Sequence, residues 1–317
     1  MPDVFQAYPR NRIAIREVGL RDGLQLTKNW PTTAQKIDWI DQEYAAGMRY
    51  FEVGSFLPVD KVPRFADVRD VIAAVDKHGD AHGVALALNQ RGATDALATP
   101  VGEITVVVSA SQAHNEANVR RTQEQSLAEI ANVVKLRDAS GKDTIINAGI
   151  AMAFGCSLSG AVPEDNVMRM VDRCFEAGAD MVGLADTVGF AGPRQVASLC
   201  RRMEQRIGDL PYVMHFHDTR GMGIANAAAA IDAGCRVFDA SLAGLGGCPF
   251  APGATGNVVM EDLIYLAETM GFDTGIDLEK IIETRAIPAK AMPEETLYGA
   301  LAKARPPKSL DWRASAA

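Results

Sequence analysis

Covalent staples are scarce in this sequence. Among 317 residues there are five cysteines, Cys156, Cys174, Cys200, Cys235 and Cys248, and no two of them form a CxxC pair. An odd number without that spacing argues against a disulfide framework and suits a reducing compartment. No apolar run approaches the ~20 residues that a membrane span needs. The opening MPDVFQAYPRNR lacks the apolar core of a secretory leader. There is no basic excess either. The formal net charge is −8, which argues against a nucleic-acid footprint. The expectation is a cytoplasmic protein that handles a small molecule, with neither nucleic acid nor membrane as partner.

What is present is an ordinary globular composition, 48% hydrophobic and 23% charged, in a chain long enough to bury a large core unaided. Short apolar runs recur, at 13–19 (IAIREVG), 50–56, 83–88, 103–109, 143–151, 181–187, 212–218 and 237–243. Most are continuous rather than alternating, as parallel strands covered on both faces are. Helix punctuation lies between them. Residues 32–46 follow Pro31, offer Thr32 or Thr33 as N-cap and stop at Gly47. The same Ala-Gly stop recurs at 177–178 and 233–234, and the next strand then carries a carboxylate, as Glu52, Asp186 and Asp239.

Eight strands alternating with helices predict an α/β fold, a (β/α)8 TIM barrel, over 1–270. A short C-terminal helical extension over 271–317 is expected to pack on it and end in a loose tail. The alternative is an open doubly wound sheet. The glycine-rich GxGxxG that would favour it is missing after the first strand, where the residues are Gly19-Leu20-Arg21-Asp22-Gly23.

His215-Phe216-His217 is the sharpest local signal. Residues i and i+2 of a strand share a face, so both imidazoles would point one way at the carboxyl end of strand 7, where barrel active sites collect. Asp22 past strand 1 and Asn257 past strand 8 are candidate oxygen donors, since strands 7, 8 and 1 are neighbours in a closed barrel. The set Asp22, His215, His217, Asn257 suits a divalent cation such as Mg²⁺ or Mn²⁺. Taken alone, the HxH pattern fits two structural histidines equally well. His78, His82 and His114 are expected to lie apart from the cluster. Arg21 stands beside Asp22 and could hold a carbonyl oxygen as it becomes an enolate; a salt bridge to Glu52 or Asp186 is compatible with that role. Both carboxylates are expected to face inward into a polar network. The loop 244–257, GLGGCPFAPGATGN, reads as a lid or a backbone cradle. Within it Cys248 is either a thiol over the pocket or a small residue in a tight turn.

Three segments, VGLRDGLQ (18–25), MHFHDTRGMGIAN (214–226) and AGLGGCPFAPGATGNVVMEDL (243–263), together resemble 3-hydroxy-3-methylglutaryl-CoA lyase. The resemblance extends over about 13–280. It implies metal ligands at Asp22, His215, His217 and Asn257, Arg21 as enolate stabiliser and Cys248 as a catalytic loop residue. It implies Glu52 and Asp186 as active-site acids; in the mechanism expected from these residues, Cys248 or His215, directly or through water, delivers a proton. The activity implied is metal-assisted retro-Claisen cleavage of a 3-hydroxyacyl-CoA into acetyl-CoA and a keto acid, by a homo-oligomer. A Claisen-type synthase of the same superfamily is the second expectation, and a non-catalytic barrel that senses CoA or metal is the third. Departures cluster where the acyl group would be read, at Gln112, His114, Arg120, Ser157-Leu158 and Gly183. They leave 3-hydroxy-3-methylglutaryl-CoA and citramalyl-CoA both open as substrates.

Overall fold

The computed structural model of the protein describes residues 2–247, 256–308 and 311–313. Eight strands, β1 (Ala14–Glu17), β2 (Tyr50–Ser55), β3 (His82–Leu86), β4 (Glu103–Ser109), β5 (Ile145–Ala151), β6 (Met181–Asp186), β7 (Val213–Phe216) and β8 (Val237–Ala240), pair in sequence order into a closed parallel barrel. The seam closes by β1 on β8, with Ala14 opposite Val237 and Glu17 opposite Ala240. The fold is therefore the (β/α)8 barrel, and the open sheet is excluded.

Helices wrap the barrel: α1 (Val4–Ala7), α2 (Thr33–Ala45), α3 (Val68–Asp76), α4 (Gln90–Leu97), α5 (Gln112–Val119), α6 (Gln123–Ser140), α7 (Glu164–Glu176), α8 (Pro193–Ile207), α9 (Gly223–Asp232) and α10 (Met260–Thr269). After them come α11 (Leu278–Thr284), α12 (Ala286–Ala291) and α13 (Leu301–Ala304), of which α11 and α12 lie against α2. Local sequence explains the boundaries. Thr32 caps α2 in a reciprocal box with Gln35, which satisfies N–H groups a helix start would leave open. Gly47, at φ +106°, ends the helix, and a Cβ there would collide with the carbonyl oxygen of Gly275. No described helix is long and apolar enough to cross a membrane.

All strands but β4 are shorter than their apolar runs. β1 stops at Glu17, and Gly19–Gly23 form a wide turn of π type closed by Gly23 N–H donating to the Val18 carbonyl. That turn lifts Arg21 and Asp22 over the barrel mouth. At the opposite end α1 plugs the floor: Val4 and Tyr8 pack with Ala14, Tyr50, Ile145, Met181, Val213 and Val237. The Tyr8 hydroxyl donates to Glu103 Oε2 at 2.7 Å. Between floor and mouth the interior is charged. Arg16, 2% exposed, pairs with Glu103 through Nη1 and with Asp239 through Nε, both at 2.7 Å.

Candidate active site

Charge and geometry converge at the mouth beside the seam. One ligand atom each from Asp22, His215 and His217 lies within 4.8 Å of the others. His215 is in β7, and its ring is 5.0 Å from that of His217 between centroids. His217 lies one residue beyond the strand, bridged to Asn257. The expected pairing of the two imidazoles therefore survives the early end of β7. Asn257 Nδ2 donates to Asp22 Oδ2 at 2.8 Å and to the Leu245 carbonyl at 3.0 Å.

The neighbours set each protonation state. His215 Nδ1 meets Asp239 Oδ2 at 2.9 Å. Burial pulls the His215 pKa down, but that contact and the charge of Asp239 outweigh it, and the net shift is upward. The arrangement commits Nδ1 to Asp239 and leaves Nε2 for the cavity. His217 is pushed down to about 4, chiefly by burial and also by His215 and Arg21, against the pull of Asp22. It is neutral at pH 7 and able to ligate. Burial raises Asp22, yet Arg21 and the two imidazoles hold it at about 2.

These residues fit a divalent cation. Asn257 is 1% exposed and its Oδ1 has no partner; His217 Nδ1 is likewise buried without one. Two imidazoles, a carboxylate and an amide oxygen form a mixed N/O donor set for a hard or borderline metal. The backbone leaves room for it. Gly246, at φ +135°, packs so close that a Cβ would sit 2.5 Å from Asn257 Nδ2 and 3.4 Å from Asp22 Oδ2.

Arg21 joins this cluster to β2. Its Nη1 is 2.8 Å from Asp22 Oδ1 and its Nη2 2.8 Å from Glu52 Oε2. Both carboxylates outweigh the cost of burial and raise its pKa, so the guanidinium is a fixed cation. Of the two salt-bridge partners expected for Arg21, the structure selects Glu52. Asp186 is placed differently from the expectation of an inward carboxylate. The β6 residues that line the cavity are Gly183 and Ala185. Asp186 instead accepts from the backbone N–H groups of Phe190, at 2.7 Å, and Ala191, at 3.1 Å. Burial leads its rise to about 6.

Arg21, Asp22, Glu52, His215, His217 and Asp239 share one cavity of about 430 Å³. His114, expected apart, lines it as well, with Nδ1 3.1 Å from Ser109 Oγ. His78 stays at the surface, 2.9 Å from Asp41, and His82 is near Glu103 at the floor, at 3.5 Å. Cys248 lies outside the described residues. Sequence reasoning missed Arg16 and Glu103, gave Asp239 no role and read Gly246 only as part of the glycine-rich loop. The available signal was charge at inward positions of apolar strands: Arg16 in IAIREVG, Glu103 opening EITVVVS and Asp239 in VFDA.

The chain is also similar to proteins of known name. The HMGL-like family model matches residues 12–287. The chain is 38% identical to hydroxymethylglutaryl-CoA lyase YngG of Bacillus subtilis over 87% of this chain and 91% of that protein. It is 37% identical to the (R)-citramalyl-CoA lyase of Chloroflexus aurantiacus over 85% of this chain and 88% of that protein. Among solved structures it resembles an HMG-CoA lyase from Acinetobacter baumannii in complex with coenzyme A and 3-methylmalate. The TM-score is 0.87 at 38% identity, covering 95% of this chain and 98% of the other.

Proposed function

We propose a function from one premise: this chain belongs to the HMGL-like family. It is a carbon–carbon lyase that cleaves a 3-hydroxyacyl-CoA thioester into acetyl-CoA and a keto acid. The relatives named as lyases of hydroxymethylglutaryl-CoA and of (R)-citramalyl-CoA support that reaction. The observation that carries the assignment is the meeting of Asp22, His215 and His217, with the unpartnered Asn257 Oδ1, beside a fixed Arg21 in one cavity.

In this reading Asp22, His215, His217 and Asn257 hold Mg²⁺ or Mn²⁺. When bound, a divalent cation acidifies a hydroxyl and polarises a carbonyl oxygen in contact with it. The chain's own residues supply the rest. Asp239 orients His215, and Gly246 lets the backbone close over Asp22 and Asn257. As the C2–C3 bond breaks, its electron pair passes to the thioester as an enolate, and Arg21 stabilises the oxygen where that charge collects. Glu52 keeps the guanidinium aimed. Asp186, tied to the β6–α8 turn, acts as a positioning residue. Cys248 in the glycine-rich loop returns a proton to C2, since His215 has Nδ1 on Asp239 and spends Nε2 as a ligand.

The test is direct. Metal-stripped protein should release no acetyl-CoA from 3-hydroxy-3-methylglutaryl-CoA or citramalyl-CoA, and Mg²⁺ or Mn²⁺ should restore the release. Undiminished turnover after complete chelation would remove the cation from the reaction.

A further inference from the structure

The cavity is divided by charge. Its polar side follows the seam, β7–β8–β1, together with Glu52 of β2. Its far side, on β3 to β6 and the segments that follow them, is mostly apolar: Leu86, Val107, Gly149, Ala151, Gly183 and Ala185 line it, with the polar His114, Asn118 and Thr187 beside them. The cavity continues down this side to a floor of Thr105, Asn147 and Val213, because Gly149 and Gly183 put no side chain in the way. Across the barrel that depth is occupied by Arg16 and Asp239.

The charges around the cavity limit what can enter this blind end. Among the described residues no lysine lines it, and the two arginines that do are both taken: Arg16 by Glu103 and Asp239, Arg21 by Asp22 and Glu52. The floor offers hydrogen bonding without positive charge. Asn147, 2% exposed, spends its amide N–H on Glu103 Oε1 at 2.8 Å, and its Oδ1 has no partner. Thr105, its register neighbour across β4–β5, is 8% exposed and also has an unpartnered Oγ1. A carboxylate sent there would meet the lone pairs of Asn147, and the one cation at that depth among the described residues, Arg16, is already paired with Glu103 and Asp239. An uncharged chain would meet apolar walls, and its far end, or a trapped water, could donate to Asn147 Oδ1.

Resting on the lyase reading above, we infer that this enzyme takes 3-hydroxyacyl-CoA thioesters with a single acyl carboxylate and, at C3, an uncharged branch longer than methyl that fills the pocket between β3 and β6. The hydroxyl and the carboxylate go to the cation side. The 3-hydroxyl gives its proton to the site, the C2–C3 electron pair becomes the enolate of acetyl-CoA, C2 takes one proton back from the site, and C3 emerges as the ketone of a longer-chain keto acid, so the protons cancel. No oxidant or water enters the balance.

The experiment compares thioesters that differ only at C3, bearing methyl, n-propyl or carboxyethyl, by acetyl-CoA release from the Mn²⁺-loaded enzyme. The n-propyl compound should have the highest kcat/KM, and the carboxyethyl compound should fall at least about tenfold below it, the scale on which a pocket rejects an ill-matched group. A second arm uses Gly183→Leu. A Cβ at Gly183 meets nothing closer than Val213 Cβ at 3.6 Å, so the new side chain can extend into the blind end. It should lower kcat/KM for n-propyl at least about tenfold more than for methyl. Efficient cleavage of the methyl compound with little or none of the n-propyl one overturns the inference and leaves the lyase reading intact. Acetyl-CoA from none of the three overturns both. The wild-type comparison decides even if Gly183→Leu fails to fold.

Discussion

Replacing Asp239 by asparagine tests whether the buried charges beneath the site are part of it. Asp239 accepts from His215 Nδ1 at 2.9 Å and pairs with Arg16 Nε at 2.7 Å. Its side chain is 9% exposed, so solvent screens neither contact well. The asparagine keeps the shape and removes the charge. Arg16 then keeps Glu103 as its one buried carboxylate partner, so the loss of folding stability should be below the about 3–5 kcal/mol of a buried charge left with none. His215 is left with at best a neutral amide oxygen in place of the carboxylate that strengthens its Nε2 as a ligand. Loss of such an outer partner weakens metal binding by roughly 10- to 100-fold, or about 1.4–2.7 kcal/mol. The assay is a Mn²⁺ titration followed by electron paramagnetic resonance at pH 7.5, with circular dichroism to establish that the variant is folded. A folded Asp239→Asn protein with an unchanged Mn²⁺ Kd would refute the argument that this carboxylate prepares the ligand.

Other expectations follow from the same geometry. Gly246→Ala should lower Mn²⁺ affinity by roughly tenfold or more, because its methyl group lands on Asn257 and Asp22 in a backbone conformation that costs a side chain about 1–3 kcal/mol; an unaltered titration curve would contradict it. Arg21→Met should cut kcat by roughly 10²–10³, the effect of losing one oxyanion donor, while Mn²⁺ still binds; near-normal kcat would end the enolate role. Glu103 carries a pH signature. Burial raises its pKa, but Arg16, His82 and Tyr8 outweigh burial and hold it at about 2, against 4.5 when unfolded. A depressed pKa contributes stability that is complete above 4.5 and lost as pH falls through about 2. Glu103→Gln should therefore be clearly less stable than wild type by urea denaturation at pH 7, with the gap narrowing between pH 4.5 and pH 2; a constant gap would be inconsistent with the ion pair.

The fold was legible because each element declared itself locally. The apolar runs marked all eight strands, and Thr32 and Gly47 marked the limits of α2. Strand ends were less visible, since Val18 and Gly19 continue the apolar run although the backbone has already turned. Within the site, His215 and His217 could be read from their two-residue spacing, and Asp22 from its place after the first strand. Asp186 was misplaced because alternation along β6 decides direction: Gly183 and Ala185 take the inward positions, and the carboxylate falls on the next residue and bonds the turn instead. Arg16, Glu103 and Asp239 went unseen as a unit because their contacts join residues 87 apart or more, and no local pattern records which strands meet across a closed barrel. The place of His114 in the cavity lining was hidden for a related reason: α5 folds it back against Ser109.

The first and last strands meet at the seam, and the cluster straddles it: Asp22 follows β1, while His215, His217 and Asn257 belong to β7 and the segment after β8. An ion held by all four would act as a clasp on the one joint that cannot form until nearly the whole barrel has been synthesised. Occupancy should then be felt along Ala14–Glu17 and Val237–Ala240 as slower backbone amide exchange, whereas strands such as β4 and β5 on the far side would exchange as before. In this molecule the same four side chains would serve both as a reaction centre and as the lock of the barrel.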